Sequence, residues 1–183
     1  MQITAIILAG GKSRRMGTDK AFLLLNNHTL LDCAIKICQP FCKSILISSN
    51  SVEHKKIGYN IIPDEILDCG PMGGILSCLK ETETEWNFVI SVDSPFVEPE
   101  LIQFLITEIG EFDAVVPVHS KGKEPLIALY HKNSLVEIEK KIESGNFKMH
   151  DLLKTINTKF VDVQELIEKY PKIFHNLNRP EDL

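Results

Sequence analysis

The chain opens with an apolar run, Ile3 to Leu8, that stops at Ala9-Gly10-Gly11-Lys12-Ser13-Arg14-Arg15-Met16-Gly17-Thr18-Asp19-Lys20. No other segment constrains the fold as much. The run is nearly continuous in apolar residues, as expected of a parallel strand buried on both faces. The loop that follows carries adjacent glycines, two arginines and a closing lysine, and its only bulky apolar residue is Met16. Glycines let backbone N–H groups approach phosphate oxygens, and basic side chains offset phosphate charge. A strand feeding such a loop is how an α/β protein holds a triphosphate. Two other phosphate loops are excluded. A Walker A loop needs a glycine five residues before Gly11-Lys12-Ser13, where Ile6 stands inside the strand. The dinucleotide fingerprint needs a Gly-x-Gly, and none occurs here. A bare turn after a strand would need neither Arg15 nor Lys20.

Strand and helix patterns alternate along the rest of the chain. Strands are expected at Ile3–Ala9, Ser44–Ser48, Tyr59–Ile62, Asn87–Val92, Ala114–Val118, Leu126–Tyr130 and Thr158–Val163. Helices are expected at Thr29–Phe41, with Thr29 as its cap, at Val52–Ile57 ended by Gly58, and from Pro71 through Lys80. Further helices are expected at Pro99–Ile109, Leu135–Ile142 and Lys148–Lys154, and Asn26-Asn27 reads as a turn. This alternation implies an α/β fold of three layers, a mostly parallel sheet with helices on both faces. Ligands of such sheets bind beyond the carboxyl ends of the strands. With 183 residues, 44% of them hydrophobic, one domain over 1–183 with one sizeable core is expected. No repeat, linker or low-complexity segment interrupts it.

The net charge of −5 argues against a polymeric nucleic-acid partner, which usually calls for a basic field. It does not argue against a nucleotide, because the loop itself is basic. No apolar run approaches the length of a membrane span, and the N-terminus lacks a signal peptide's features, so a cytoplasmic location is expected. Five cysteines, an odd count without a C-x-x-C, suit a reducing compartment. Cys38 and Cys42 share a helical face and read as packing residues, and neither a zinc site nor a cluster is expected.

Asp93 is the second strong feature. It follows the apolar run Phe88-Val89-Ile90-Ser91-Val92 and precedes Ser94-Pro95-Phe96. A carboxylate at the end of a buried strand, held by a proline turn, can bind Mg²⁺ beside a triphosphate. Capping the next helix is the alternative, and Pro95 and Glu98 stand between Asp93 and that helix.

The thirteen positions Leu8 to Lys20 resemble the L-A-G-G-x-S-x-R-M-G-x-D-K signature of nucleotidyltransferases that activate a phosphorylated acceptor with an NTP and release pyrophosphate. The Gly10-Gly11 pair resembles the molybdenum cofactor guanylyltransferase branch. That resemblance implies a Rossmann-like nucleotidyltransferase fold and a nucleotide-binding set of Leu8, Ala9, Gly10, Gly11, Lys20, Ser48, Asp64 and Asp93. It implies Arg15, Lys20 and Asp93 as the catalytic groups, and Asp93 with Asn178, from the run Asn176-Leu177-Asn178-Arg179-Pro180, as Mg²⁺ ligands. Asn178 would otherwise cap a last turn begun by Pro180. Asp64 suits the N1–H and N2–H₂ donors of guanine, and contact with the acceptor or a turn cap is open for it too. Whether Ser48 or Asn50 meets the nucleotide is open, and so is the role of Glu124, where relatives place a His-Pro or Gln-Pro pair facing the acceptor. Lys12, Arg14 and Asp19 carry no assigned contact, though pairing of Asp19 with an arginine would order the loop. Gly70-Pro71-Met72-Gly73-Gly74 resembles the segment that closes on base and ribose.

The implied reaction is attack by the phosphate of molybdopterin on the α-phosphorus of GTP. A phosphate nucleophile is already ionised, so positioning and charge neutralisation suffice and no general base is needed. Arg15 and Lys20 would draw off charge as pyrophosphate leaves. Transient contact with proteins that deliver the cofactor and accept the product is also implied. The rivals are a nucleotidyltransferase of the same fold using CTP or a sugar-phosphate acceptor, and a non-catalytic nucleotide-binding protein.

Overall fold

The computed structural model describes residues 1–10 and 19–177. The first strand is β1 (Ile3–Leu8), buried along its whole length. A short antiparallel hairpin, β2 (Leu24–Leu25) and β3 (His28–Thr29), turns through Asn26 and Asn27, both at positive φ. Helix α1 (Leu30–Cys38) begins with a capping box: the Thr29 hydroxyl accepts from Asp32 N–H, and the Asp32 carboxylate accepts from Thr29 N–H. Then come β4 (Ser44–Ser48), a 3₁₀ turn over Glu53–Ile57 ended by Gly58 at φ 81°, and β5 (Asn60–Ile62). Helix α2 (Pro71–Glu81), which starts on a proline, leads into β6 (Trp86–Ser91) and α3 (Pro99–Thr107). The remaining elements are β7 (Ala114–His119), β8 (Gly122–Lys123), β9 (Ile127–His131), α4 (Leu135–Glu143), α5 (Met149–Leu152), β10 (Thr158–Asp162) and α6 (Gln164–Lys169).

The large sheet runs β10-β7-β9-β6-β1-β4-β5, with β8 attached to β7. It is mixed and mostly parallel: β9 runs antiparallel to both β6 and β7, and β8 runs antiparallel to β7. The alternation of side chains along β1 divides the core. Ile3, Ala5 and Ile7 join α1 and α3 on one face, while Ile6 and Leu8 join α2, α4 and α5 on the other. Ile6 and Ile7, both fully buried, each stabilise the sheet by about 1.5–3 kcal/mol. Near the amino ends of β1 and β6, buried polar groups satisfy one another: Thr84 Oγ1 donates to Thr4 Oγ1 at 2.8 Å, and Asn87 Nδ2 reaches the carbonyls of Thr84 and Glu85. At the opposite end, polar groups face outward.

Register decides what meets at that outward edge. Leu8 pairs with Ser48 on one side and Ser91 on the other, and Ser48 pairs with Ile62. Asp64 and Asp93 thus both stand two residues past one line drawn across β5, β4, β1 and β6. Three inter-strand steps of about 4.8 Å set them roughly 14 Å apart across the sheet. The expected strands, and most of the helices, stand within a few residues of their bounds. Helix Thr29–Phe41 closes earlier, at Cys38, and Lys148–Lys154 narrows to the single turn of α5.

Candidate active site

Asp93 follows β6 in a turn held on three sides. Ser94 N–H donates to Ser91 O, Val92 N–H donates to Leu8 O, and Asp93 O accepts from Leu177 N–H at 2.9 Å. Its carboxylate is shared. Oδ1 accepts from Ser91 Oγ at 2.6 Å, and Oδ2 lies 3.2 Å from Lys20 Nζ. Both side chains of this ion pair are about one-fifth exposed, so solvent reaches it. Lys20 opens a 3₁₀ turn, Lys20–Phe22, capped by Asp19, whose Oδ1 accepts from Ala21 N–H at 3.0 Å. The other carboxylate oxygen of Asp19 faces His54, and Arg14 and Arg15, with which a pairing of Asp19 was expected, lie outside the described residues.

Beyond β4 and β5 a second cluster surrounds Asp64. Ser48 Oγ donates to its Oδ1 at 3.2 Å and Asn50 Nδ2 to its Oδ2 at 3.1 Å. Asn50 Oδ1 in turn accepts from Asp64 N–H at 2.8 Å. Ser48 and Asn50 therefore hold the same carboxylate, but Ser48 is buried and Asn50 exposed. Ser48 is covered by Gly74 of α2. A Cβ on Gly74 would collide with Ser48 Oγ and come within 3.1 Å of Ser48 Cβ and 3.2 Å of Leu8 Cδ2. Gly74→Ala is expected to destabilise the chain even though alanine favours a helix by about 1 kcal/mol. Overpacking of about 1–3 kcal/mol outweighs that gain and lowers Tm by a few degrees in a thermal melt. An unchanged or raised Tm would refute the packing argument.

β1 ends at Leu8, and Ala9 and Gly10 follow it between the two clusters, with Ala9 N–H donating to Ser48 O at 3.0 Å. Leu8 and Ala9 are buried and Gly10 is exposed; a side chain at Gly10 would meet nothing closer than 3.7 Å. Gly11, Arg15 and Asn178 lie outside the described residues. Asn176, two residues before Asn178, accepts from Ser94 Oγ at 2.8 Å and ties that part of the chain to the Asp93 turn.

Because β9 is antiparallel, its amino end reaches this same edge. Glu124, Pro125, Ser91, Asp93 and Asn176 line a cavity of about 180 Å³. Glu124 Oε1 lies 2.9 Å from His119 Nε2. His119 Nδ1 accepts from Lys121 N–H, so Nε2 carries the proton and donates to Glu124. The buried Tyr130 donates to Pro125 O at 2.8 Å, and burial pushes its phenol well above the usual tyrosine range, so it stays a donor. The thiols are set apart from this chemistry. Burial holds Cys38 well above its ordinary range and pushes Cys42 up to about 12, which keeps both protonated.

The roles of Ser91, Ser94 and His54 are absent from the sequence reading. Ser91 carried a signal in its place two residues before the strand-end aspartate. Ser94–Asn176 and His54–Asp19 carried none, since 82 and 35 positions separate their members.

Residues 5–159 match the family model described as "MobA-like NTP transferase domain". The chain belongs to the MobA-like NTP transferase family. A relative from Natranaerobius thermophilus, described as a probable molybdenum cofactor guanylyltransferase, is 35% identical over 99% of this chain and 93% of its own length. Among solved structures, the molybdopterin-guanine dinucleotide biosynthesis protein A of Archaeoglobus fulgidus superposes with a TM-score of 0.83 at 26% identity. The match covers 98% of this chain and 94% of that one. A Mycobacterium tuberculosis protein solved in complex with manganese shares the fold, with a TM-score of 0.67 at 13% identity over 97% of this chain and all of that one. In this MobA-like chain, as the strand pattern implied, the polar residues gather at the carboxyl edge of the sheet, around the β1 switch point. Among the described residues, no helix is long and apolar enough to cross a membrane.

Proposed function

We propose that this chain transfers GMP from GTP to the phosphate of molybdopterin, releasing pyrophosphate and forming the guanine dinucleotide cofactor. The observation that carries this is the placement of two carboxylates at one sheet edge: Asp93 paired with Lys20, and Asp64 held by Ser48 and Asn50. A nucleotide laid across the ends of β5, β4, β1 and β6 would put its base at Asp64 and its phosphates at Lys20. Each Asp64 oxygen has one protein donor and a further lone pair, so the carboxylate is left able to accept from guanine N1–H and N2–H₂. Asn50, exposed beside it, is the better placed of the two supporting residues to meet the nucleotide; Ser48 acts from beneath. The names of the full-length relatives support guanine and molybdopterin as the substrates.

Mg²⁺ suits the Asp93 side. It takes hard oxygen ligands and is usually held by one or two carboxylates together with substrate phosphates and water. Asp93 offers such an oxygen, partly exposed and facing the edge where the triphosphate would lie, and Asn178 is proposed as a further ligand. When bound, the cation would neutralise charge on the triphosphate. The chain's own residues do the rest. Lys20 and Arg15 draw charge from the departing pyrophosphate, and the strand-end amides orient the phosphates. The acceptor would enter over the Glu124–Asp93 cavity, with its phosphate in line with the α-phosphorus. A cytoplasmic location and transient contact with cofactor-delivering and cofactor-accepting proteins belong to the same reading.

The test is pyrophosphate release with molybdopterin and Mg²⁺ against GTP, CTP, ATP and UTP, for the native chain and for Asp64→Ala. GTP preference is expected. Asp64→Ala should lower kcat/KM for GTP by about 10- to 100-fold, the cost of losing a recognition contact to the base, and change the other nucleotides less. Preference for CTP would move the chain to a cytidylyltransferase. NTP binding without pyrophosphate release would leave a nucleotide-binding module.

A further inference from the structure

We propose that His54 is a positioning residue for Lys20, acting through Asp19; the inference rests on the reading of Lys20 as a phosphate contact. His54 sits in the 3₁₀ turn after β4, and its side chain is fully buried. Its Nε2 stands 3.0 Å from Asp19 Oδ2, yet neither ring nitrogen makes an aligned hydrogen bond. The separation is that of a hydrogen bond and only the angle falls short. A buried imidazole with no aligned partner is unfavourable, and an apolar side chain would fill the same space without that cost. The ring is held edge-on to Phe22, centroids 5.0 Å apart, in the very turn that Lys20 opens.

The chain of contacts leads to one place. Asp19 uses Oδ1 to cap the Lys20–Phe22 turn and presents Oδ2 to His54, so the two oxygens tie the turn to the β4–β5 connection. Lys20 follows Asp19 directly, and its Nζ reaches Asp93 on β6. Without His54 the cap keeps Ala21 N–H, but the turn loses this tie to the sheet side that carries Ser48 and Asn50. Lys20 would then sample positions away from the phosphates. His54 touches no substrate in this scheme.

The test is a double-variant cycle with the full chain: native, His54→Leu, Lys20→Met and both together, each read by Tm, by titration of GTP with Mg²⁺, and by pyrophosphate release with molybdopterin. His54→Leu is expected to lower kcat on the order of 10- to 100-fold, the cost of misplacing a catalytic group by about 1 Å. Tm should hold or rise. In the Lys20→Met background the same change should alter kcat less than about threefold, because residues acting as one unit are non-additive. His54→Gln, which restores an N–H donor, should recover part of the loss. An equal loss in both backgrounds, or no loss from His54→Leu, would overturn the proposal. If His54→Leu fails to fold, Asp19→Asn takes its place in the cycle under the same criteria. A native chain that releases no pyrophosphate would instead sink the transferase reading, and the cycle would be read on GTP binding alone.

Discussion

Asp93→Asn is expected to slow transfer severely and leave the fold intact. The amide has the shape of the carboxylate, its Oδ1 can still accept from Ser91 Oγ, and Asp93 O still accepts from Leu177 N–H. What disappears is the negative charge. Its ion pair with Lys20 is partly solvated, so it stabilises the fold by about 1 kcal/mol or less. Tm should therefore move little. Catalysis should fall by about 10²–10³-fold in kcat, the scale for loss of one preorganised electrostatic contact. GTP binding without Mg²⁺ should hold or tighten, because the carboxylate that competes with phosphate for Lys20 is gone. Pyrophosphate release and calorimetry on the purified variant check both parts. Native turnover by Asp93→Asn would remove this residue from the chemistry.

Lys20→Met separates the other half of the pair. Methionine keeps the length and apolar stem of lysine but carries no charge, so packing around the 3₁₀ turn is disturbed least. The expected loss in kcat is again about 10²–10³-fold. The binding signature is opposite to that of Asp93→Asn: GTP should bind more weakly, with and without Mg²⁺. Asp93 loses its cation but remains about one-fifth exposed, so water can solvate it and the stability cost stays small. Lys20→Arg should restore only part of the activity, because the guanidinium is planar, larger and different in reach. Unaltered GTP affinity in Lys20→Met would place this lysine outside the nucleotide site.

The contrast between the variants matters because the carboxyl edge holds opposite charges close together before any substrate arrives. Lys20 is drawn to Asp93, and the Asp64 carboxylate accepts from neutral donors on Ser48 and Asn50. The edge thus has a cationic reach toward phosphate at one end and an acceptor for ring N–H groups at the other. Such a polarity favours one direction of a nucleotide over the reverse.

The local parts of this molecule were legible in residue order. The run Ile3–Leu8 read as a buried strand, Thr29 marked a helix start, and the aspartate after Phe88–Val92 marked a strand end. These follow from periodicity, capping and backbone permissiveness, which act over a few residues. Some short elements were not legible. The β2–β3 hairpin, β8 and α6 have two to six residues each, too few for a period to show. Nor was the antiparallel course of β9, which brings Glu124 to the same edge as Asp93.

The sequence by itself determined the class of fold, the glycine-rich basic loop after β1 and the aspartate after β6. Only the tertiary structure decided that Asp64 and Asp93 share one register line, that Ser48 lies beneath Gly74, and that His54 reaches Asp19. The reason is physical. A strand or a cap forms from interactions between near neighbours, whereas these meetings depend on how separate strands align and which faces pack together. That alignment is set by burying whole faces of the sheet at once, a collective property of the core that no single segment carries.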